Sequence, residues 1–333
     1  MQPRGLVDTP PRAYGHSVSE AGSEMDIRSV LMGLAFAFMW ASAFTSTRVI
    51  VTAAPPLTAL VIRFALSAVI GILIARAMGQ SWRLSRNEWR VLIVFGIAQN
   101  ALYLGLNWIA MQTVEASAAA IIASMMPLLV AFFGWVWLGE RLRPIAVAGL
   151  ILGVIGVVLI MGVRLQDGLD PFGVALCLIA VVALTVATLV VRGTSGSRNM
   201  LMIVGLQMAV GAVALAVPAV VMEWGREIAW SWTLLFAFLY TVAAPGLAAT
   251  FIWFLLVNRI GAVRAATFHF LSPIFGVTIA AIFLGERFGL IDVIGACIVA
   301  AGILMVQMAR LPVVQTPPSR PQDADAKQAA PRS

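Results

Sequence analysis

The chain has 333 residues, of which 61% are hydrophobic and only 11% charged, with a mean hydropathy of +0.96. A soluble domain carries about 25% charged residues, so composition excludes an ordinary water-soluble globule. The formal charge of +7 does not point to nucleic acid, because the arginines punctuate apolar runs instead of gathering on one face.

Residues 1–29 are mostly polar, with Pro, Gly and Ser, and are predicted to form a disordered tail. The first apolar run opens near Val30 and is too long for the core of a signal peptide. Ten apolar segments follow, at 30–50, 57–78, 91–112, 116–138, 144–163, 172–192, 200–222, 231–257, 263–285 and 289–309. Each has about 20 residues, enough to cross about 30 Å of hydrocarbon as a helix. Residues 310–333 hold five prolines and little that is apolar, and are predicted to be a second disordered tail. The chain therefore reads as an all-α polytopic membrane protein with ten transmembrane helices.

Arginine placement gives the orientation. With the N-terminus inside, the interior loops and adjoining helix ends hold Arg76, Arg83, Arg86, Arg90, Arg141, Arg143, Arg192, Arg198, Arg259 and Arg264. The exterior ones hold Arg48, Arg164, Arg226 and Arg287, so the count is ten against four. Positive residues favour the cytoplasmic side, and both termini are expected there, in a cell inner membrane.

Segments 4 and 5 recur. Shifted by 146 residues, Ala116–Met161 lies on Ala262–Gln307 without a gap and with twelve identities. The matched residues include Pro127 with Pro273, Leu138-Gly139-Glu140-Arg141 with Leu284-Gly285-Glu286-Arg287, Gly149 with Gly295, and Gly156 with Gly302. The chain is read as two repeats, 30–163 and 172–309. Five crossings per repeat is an odd number, so the second repeat is expected upside down. Inverted repeats with a site at the bilayer midplane are the architecture of many secondary transporters.

Candidate site residues come from polar and aromatic side chains inside the segments. Segment 3 carries Asn100, Tyr103 and Asn107 at spacings that share one helix face. Segment 1 offers Trp40, Ser42 and Thr45; segment 4 offers Ser124; segment 8 offers Tyr240 and Trp253; segment 9 offers His269 and Ser272. A substrate cavity and plain interhelical hydrogen bonding both account for any one of these. Pro127 and Pro273 free a backbone carbonyl a turn earlier, which is tolerated as a kink or along a cavity wall. Arg63, deep in segment 2, is read as a structural anchor, with substrate contact as the alternative. Glu140 and Glu286 are expected to cap segments 5 and 10, which they precede, and Asp292 is read the same way. The small residues of segments 5 and 10 suit either close packing of the two helices or an oligomer interface.

No H-E-x-x-H, P-loop, G-x-S-x-G or Cys/His metal spacing is present. Cys177 and Cys297 both lie in apolar runs, so no disulfide framework is expected. No enzyme activity, cofactor or nucleic-acid partner is expected. The expected partners are a small-molecule metabolite and the lipid bilayer, with monomer and homodimer both open.

The doubled proline-to-L-G-E-R-to-Gly block, Trp40 within W-A-S-A-F, Arg63, and R-I-G-A at Arg259–Ala262 resemble the drug/metabolite transporter superfamily, specifically its ten-helix EamA-type permeases. The resemblance covers about Val30 to Met308. It implies an inner-membrane permease exporting an amino acid or related metabolite, with a central cavity lined by helices 1, 3, 4, 6, 8 and 9. Uptake, export of aromatic or cationic xenobiotics, and a receptor or assembly subunit without flux remain as alternatives. The position matching Trp40 in the second repeat is Ala180, so the two half-sites are not expected to be equivalent.

Overall fold

The computed structural model describes residues 26–191 and 199–310. Arg192, Arg198 and all but the inner ends of both expected tails lie outside the described residues. Among the described residues ten helices are long and apolar enough to cross a membrane: α1 Ile27–Ala53, α2 Pro56–Ala77, α3 Arg86–Ala110, α4 Ala116–Leu138, α5 Pro144–Gln166, α6 Pro171–Val190, α7 Met200–Glu223, α8 Trp232–Ile260, α9 Val263–Leu284 and α10 Leu290–Ala309. Without water to satisfy backbone groups, a helix is the economical way for such a segment to cross.

Helix ends depart from the hydropathy boundaries where polar side chains extend a helix beyond its apolar run. α1 starts at Ile27, within the segment expected to be a tail, because the Asp26 carboxylate accepts from Arg28 N at 3.3 Å. α3 starts at Arg86, five residues before its apolar run. There Ser85 Oγ accepts from Glu88 N at 3.2 Å, while Ser85 N donates to Glu88 Oε2 at 2.7 Å. This reciprocal pair satisfies two backbone donors of the first turn. At the other end of the repeated helices, Gly139 and Gly285 adopt φ of +67° and +66° and close α4 and α9. Only glycine takes that left-handed conformation without strain, which explains the glycine of each L-G-E-R turn.

Helices at equivalent places in the two halves pack on each other. A Cβ added at Gly149 in α5 would lie 2.7 Å from Gly302 O, and one at Gly156 would lie 2.9 Å from Gly295 O. As the α5 number rises the α10 number falls, so the two helices run antiparallel. Gly149 and Gly295 are repeat mates, as are Gly156 and Gly302, so exchanging the repeats maps this contact onto itself. The small-residue faces meet inside one chain. α2 and α7 form the second such pair. They approach at Gly71 and Gly205, and the start of α2 meets the end of α7 through Glu223.

One expected cap, that of Glu286, is corrected, while Asp292 caps α10 as expected. Glu286 does not close α10; its carboxylate crosses to the start of α4, accepting from Ala116 N at 2.8 Å and Ser117 N at 3.1 Å. α10 is closed by its own Asp292, which accepts from Gly289 N at 2.9 Å. Glu223 makes the matching crossing at α2, accepting from Leu57 N and Thr58 N at 2.8 and 2.7 Å. A carboxylate at a helix N-terminus satisfies free N–H groups and opposes the helix dipole whichever segment supplies it. Chain direction alone cannot reveal the donor.

Tryptophans mark both ends of the bundle. Trp135 and Trp137 are exposed at the end of α4, and Trp224, Trp230 and Trp232 are exposed between α7 and α8. Tryptophan is enriched at membrane–water interfaces.

Candidate functional site

Two helices become π-helical in the middle of the bundle. α3 is π-helical over Gly96–Leu104 and α8 over Val242–Ala248. The two stretches begin 146 residues apart, the same register as the repeat. A π-turn inserts a residue and turns side chains or carbonyls away from their α-helical direction, and it recurs at functional sites. Pro245 removes a backbone donor within the second stretch.

Between these stretches lies a pocket with a cavity volume of about 90 Å³, partly open to the exterior. α3 supplies Gln99, Asn100, Tyr103, Asn107 and Trp108; α1 supplies Trp40, Phe44 and Thr47. α2 adds Arg63 and Phe64, α7 adds Gln207 and Met208, and α8 adds Pro245, Gly246 and Thr250. The lining helices of this pocket are thus 1, 2, 3, 7 and 8, where the family resemblance implied 1, 3, 4, 6, 8 and 9. α4 and α9 pack directly against each other at Gly276, where an added Cβ would lie 2.5 Å from Ala120 Cβ. Pro127 and Pro273 are buried at the start of the second half of α4 and of α9 and do not line the pocket.

Four of the eleven expected binding residues meet at this pocket: Trp40, Asn100, Tyr103 and Asn107. Asn100 spends its amide donor on Gln207 O at 2.8 Å, tying α3 to α7. Asn107 is 2% exposed, and its Nδ2 has no hydrogen-bond partner among the described residues. Tyr103, also 2% exposed, makes no side-chain hydrogen bond within the described residues.

A second group stacks behind Trp40. His269 lies edge-on to Trp253 and Phe36, with centroids 5.3 Å away in each case, and to Trp40 at 6.1 Å. Its Nδ1 is 3.2 Å from Ala266 O, so the ring is held as one wall of an aromatic box. The remaining candidates lie apart from the pocket. Ser42 and Tyr240 bond to each other at 2.6 Å and join α1 to α8. Ser124 donates to Ile121 O at 2.6 Å within its own helix. Thr45 Oγ1 and Ser272 Oγ are buried without a partner, in α1 and α9, which pack together.

Gln99, Gln207 and Trp108 were not singled out from the sequence. Intramembrane glutamine is a detectable signal for the first two. Trp108 was hidden because tryptophan also serves lipid-facing positions.

A charged cluster lies at one end of the bundle. Arg164 donates to Asp292 Oδ1 at 2.8 Å, to Ser117 Oγ at 2.9 Å and to the Glu115 carboxylate. Burial raises the Glu115 carboxyl above its ordinary value, and the Arg164 charge opposes that shift. At the opposite end, Arg259 of R-I-G-A pairs with Asp26 and donates to Ser29 Oγ at 3.1 Å, clamping α8 to α1. Among the described residues no group of three or more His, Cys, Asp or Glu is placed to hold a metal ion.

Comparison with known proteins now bears on what this arrangement does. A profile of the EamA-like transporter family matches residues 27–162 and again residues 171–308, one match for each five-helix half. The chain is 26% identical over 283 residues to the uncharacterized transporter YvbV of Bacillus subtilis, covering 84% of this chain and 91% of that one. It is 29% identical over 136 residues to the aromatic amino acid exporter YddG of Ancylobacter novellus, covering 41% of this chain and 47% of the exporter. A solved crystal structure shares the fold with a TM-score of 0.62 at 20% identity, covering 85% of this chain and 99% of its own. A tandem profile match that follows the two halves, on ten spans and alongside relatives named as transporters, establishes that this multi-pass membrane protein belongs to the EamA-like transporter family and is a transporter, not an enzyme.

Proposed function

We propose that the chain is an inner-membrane permease that exports a small metabolite, an amino acid or related zwitterion, by alternating access. Both termini are cytoplasmic in this reading, which the arginine distribution supports. The antiparallel pairing of α5 with α10 and of α2 with α7 supports an inverted repeat, in which rocking one half against the other opens a central site to each side in turn. The observation that carries the proposal is the mid-bundle pocket, where α3 and α8 are both π-helical and polar groups are gathered away from lipid. Export, and an amino acid as cargo, draw support from the partial similarity to an aromatic amino acid exporter.

The test is counterflow of radiolabelled amino acids in proteoliposomes. Asn107→Ala should cut flux at least several-fold while thermal stability stays near that of the wild type. Stability that collapses with the flux would mean that Asn107 is interhelical glue and that the pocket is not the substrate site. A reporter at the C-terminus should report the cytoplasm; a periplasmic signal would refute the topology.

A further inference from the structure

The pocket contains a buried cation with no counter-ion. Arg63 is 7% exposed, eight residues into α2, and makes no hydrogen bond or ion pair with any described residue. Its guanidinium carbon lies 5.6 Å from the ring centre of Phe64 and 5.7 Å from that of Trp108. Ring faces attract a cation, but far less strongly than a carboxylate does when both are out of water. No Asp or Glu lines the pocket. The other buried arginine of the described fold, Arg164, is held by two carboxylates and a hydroxyl. The same chain thus surrounds one buried arginine with carboxylates and leaves the other without any in its pocket.

Two further features point the same way. Asn107 Nδ2 is a buried donor without an acceptor, on the same pocket. Gly246, in the π-helical turn of α8, leaves space beside the guanidinium: a Cβ there would stand 3.7 Å from Arg63 Nη2. Two donor groups without an acceptor among the described residues, the Arg63 guanidinium and Asn107 Nδ2, therefore share one pocket. A buried unpaired charge is costly, and a ligand that neutralises it recovers that cost on binding.

We propose that the missing counter-ion is the carboxylate of the transported molecule, held by the Arg63 fork with Asn107 Nδ2 as a further donor. Guanidinium binds carboxylate bidentately, and the geometry confers selectivity as well as strength. One cation matches one negative charge, so the class is monocarboxylates. The faces of Trp40, Phe44 and Trp108 suit an apolar or aromatic body. Selection acts on the carboxylate and not on an ammonium group, so amino acids and simple organic acids of similar shape both qualify. This assignment rests on the permease function proposed above and makes Arg63 a substrate-binding residue instead of a structural anchor.

Four probes of one shape separate the charges: L-phenylalanine, 3-phenylpropanoate, 2-phenylethylamine and 3-phenylpropanamide. With purified full-length protein, the two acids should raise the thermal unfolding temperature and drive counterflow, and the amine and amide should do neither. Arg63→Met should unfold at or above the wild-type temperature without ligand, because it removes an uncompensated buried charge. It should also lose the response to both acids at least tenfold in concentration, with Arg63→Lys falling between. The assignment is overturned if amine and amide act as well as the acids, if none of the four acts on the wild type, or if Arg63→Met still responds like the wild type. A drop in the ligand-free unfolding temperature of Arg63→Met also overturns it, by restoring the anchor role. Flux of amine and amide alike would leave transport standing without carboxylate selection. Stabilisation by the acids through Arg63 without any flux would leave the site standing and refute the permease.

Discussion

Replacing Gly302 by alanine would drive a methyl group into the backbone of the facing helix. The added Cβ would lie 2.6 Å from Gly149 O, 2.6 Å from Gly153 N and 2.9 Å from Gly153 Cα. Non-bonded carbon contacts settle at about 3.5–4.0 Å, so α5 and α10 must separate by on the order of 1 Å at this crossing. The obstacle is backbone and has no rotamer that moves it aside. Overpacking of this kind costs about 1–3 kcal/mol, offset by the roughly 0.8–1.0 kcal/mol that alanine gains over glycine within a helix. The net expectation is a loss of up to about 2 kcal/mol, read as a lowered unfolding temperature in detergent. Gly162→Ala on α5 is the control, since nothing lies within 4 Å of the Cβ it would add. That substitution should be neutral or stabilising by up to about 1 kcal/mol. If Gly302→Ala proves as stable as Gly162→Ala, the close antiparallel crossing of α5 and α10 is refuted.

Glu286→Ala and Glu223→Ala should each cost about 1–2 kcal/mol, because each strands two backbone donors at the start of another helix. Thermal unfolding that leaves either variant unchanged would remove the crossing caps. The Thr113 hydroxyl, at 2.7 Å, holds the Asp170 carboxyl below its ordinary value. A depressed folded pKa adds stability that is present above the unfolded value and lost as pH falls through the folded one. Thr113→Val should therefore flatten the acid limb of unfolding temperature against pH, and an unaltered limb would contradict this. His269→Gln keeps polarity without titration and should retain most downhill flux, since the ring stands behind Trp40 and does not line the pocket. Wild type that concentrates substrate on a proton gradient, with a variant that only equilibrates it, would instead make His269 the coupling site.

The second repeat of L-G-E-R shows how far reading along the chain reaches. The motif, its glycine and the small-residue faces of α5 and α10 are local patterns, and the structure uses each. That Glu286 serves α4 and not α10 depends on which N-terminus stands nearest in space, and the sequence contains no such distance. Arg63, read from the sequence as a structural anchor, has no carboxylate among the residues lining its pocket, a spatial fact the sequence does not contain either.

Hydropathy and the 146-residue repeat determined, from the sequence alone, ten spans, two halves and the family resemblance. These signals are summed over about 20 residues, and lipid demands them of any spanning helix. Which faces turn inward was left to the tertiary structure. Lipid and protein interior are both apolar, so a membrane helix need not display the inward-facing stripe that marks a soluble one. Only the packing of α4 on α9 closed one candidate wall, and only the π-helical turns of α3 and α8 gathered Asn107, Tyr103 and Arg63 around one pocket.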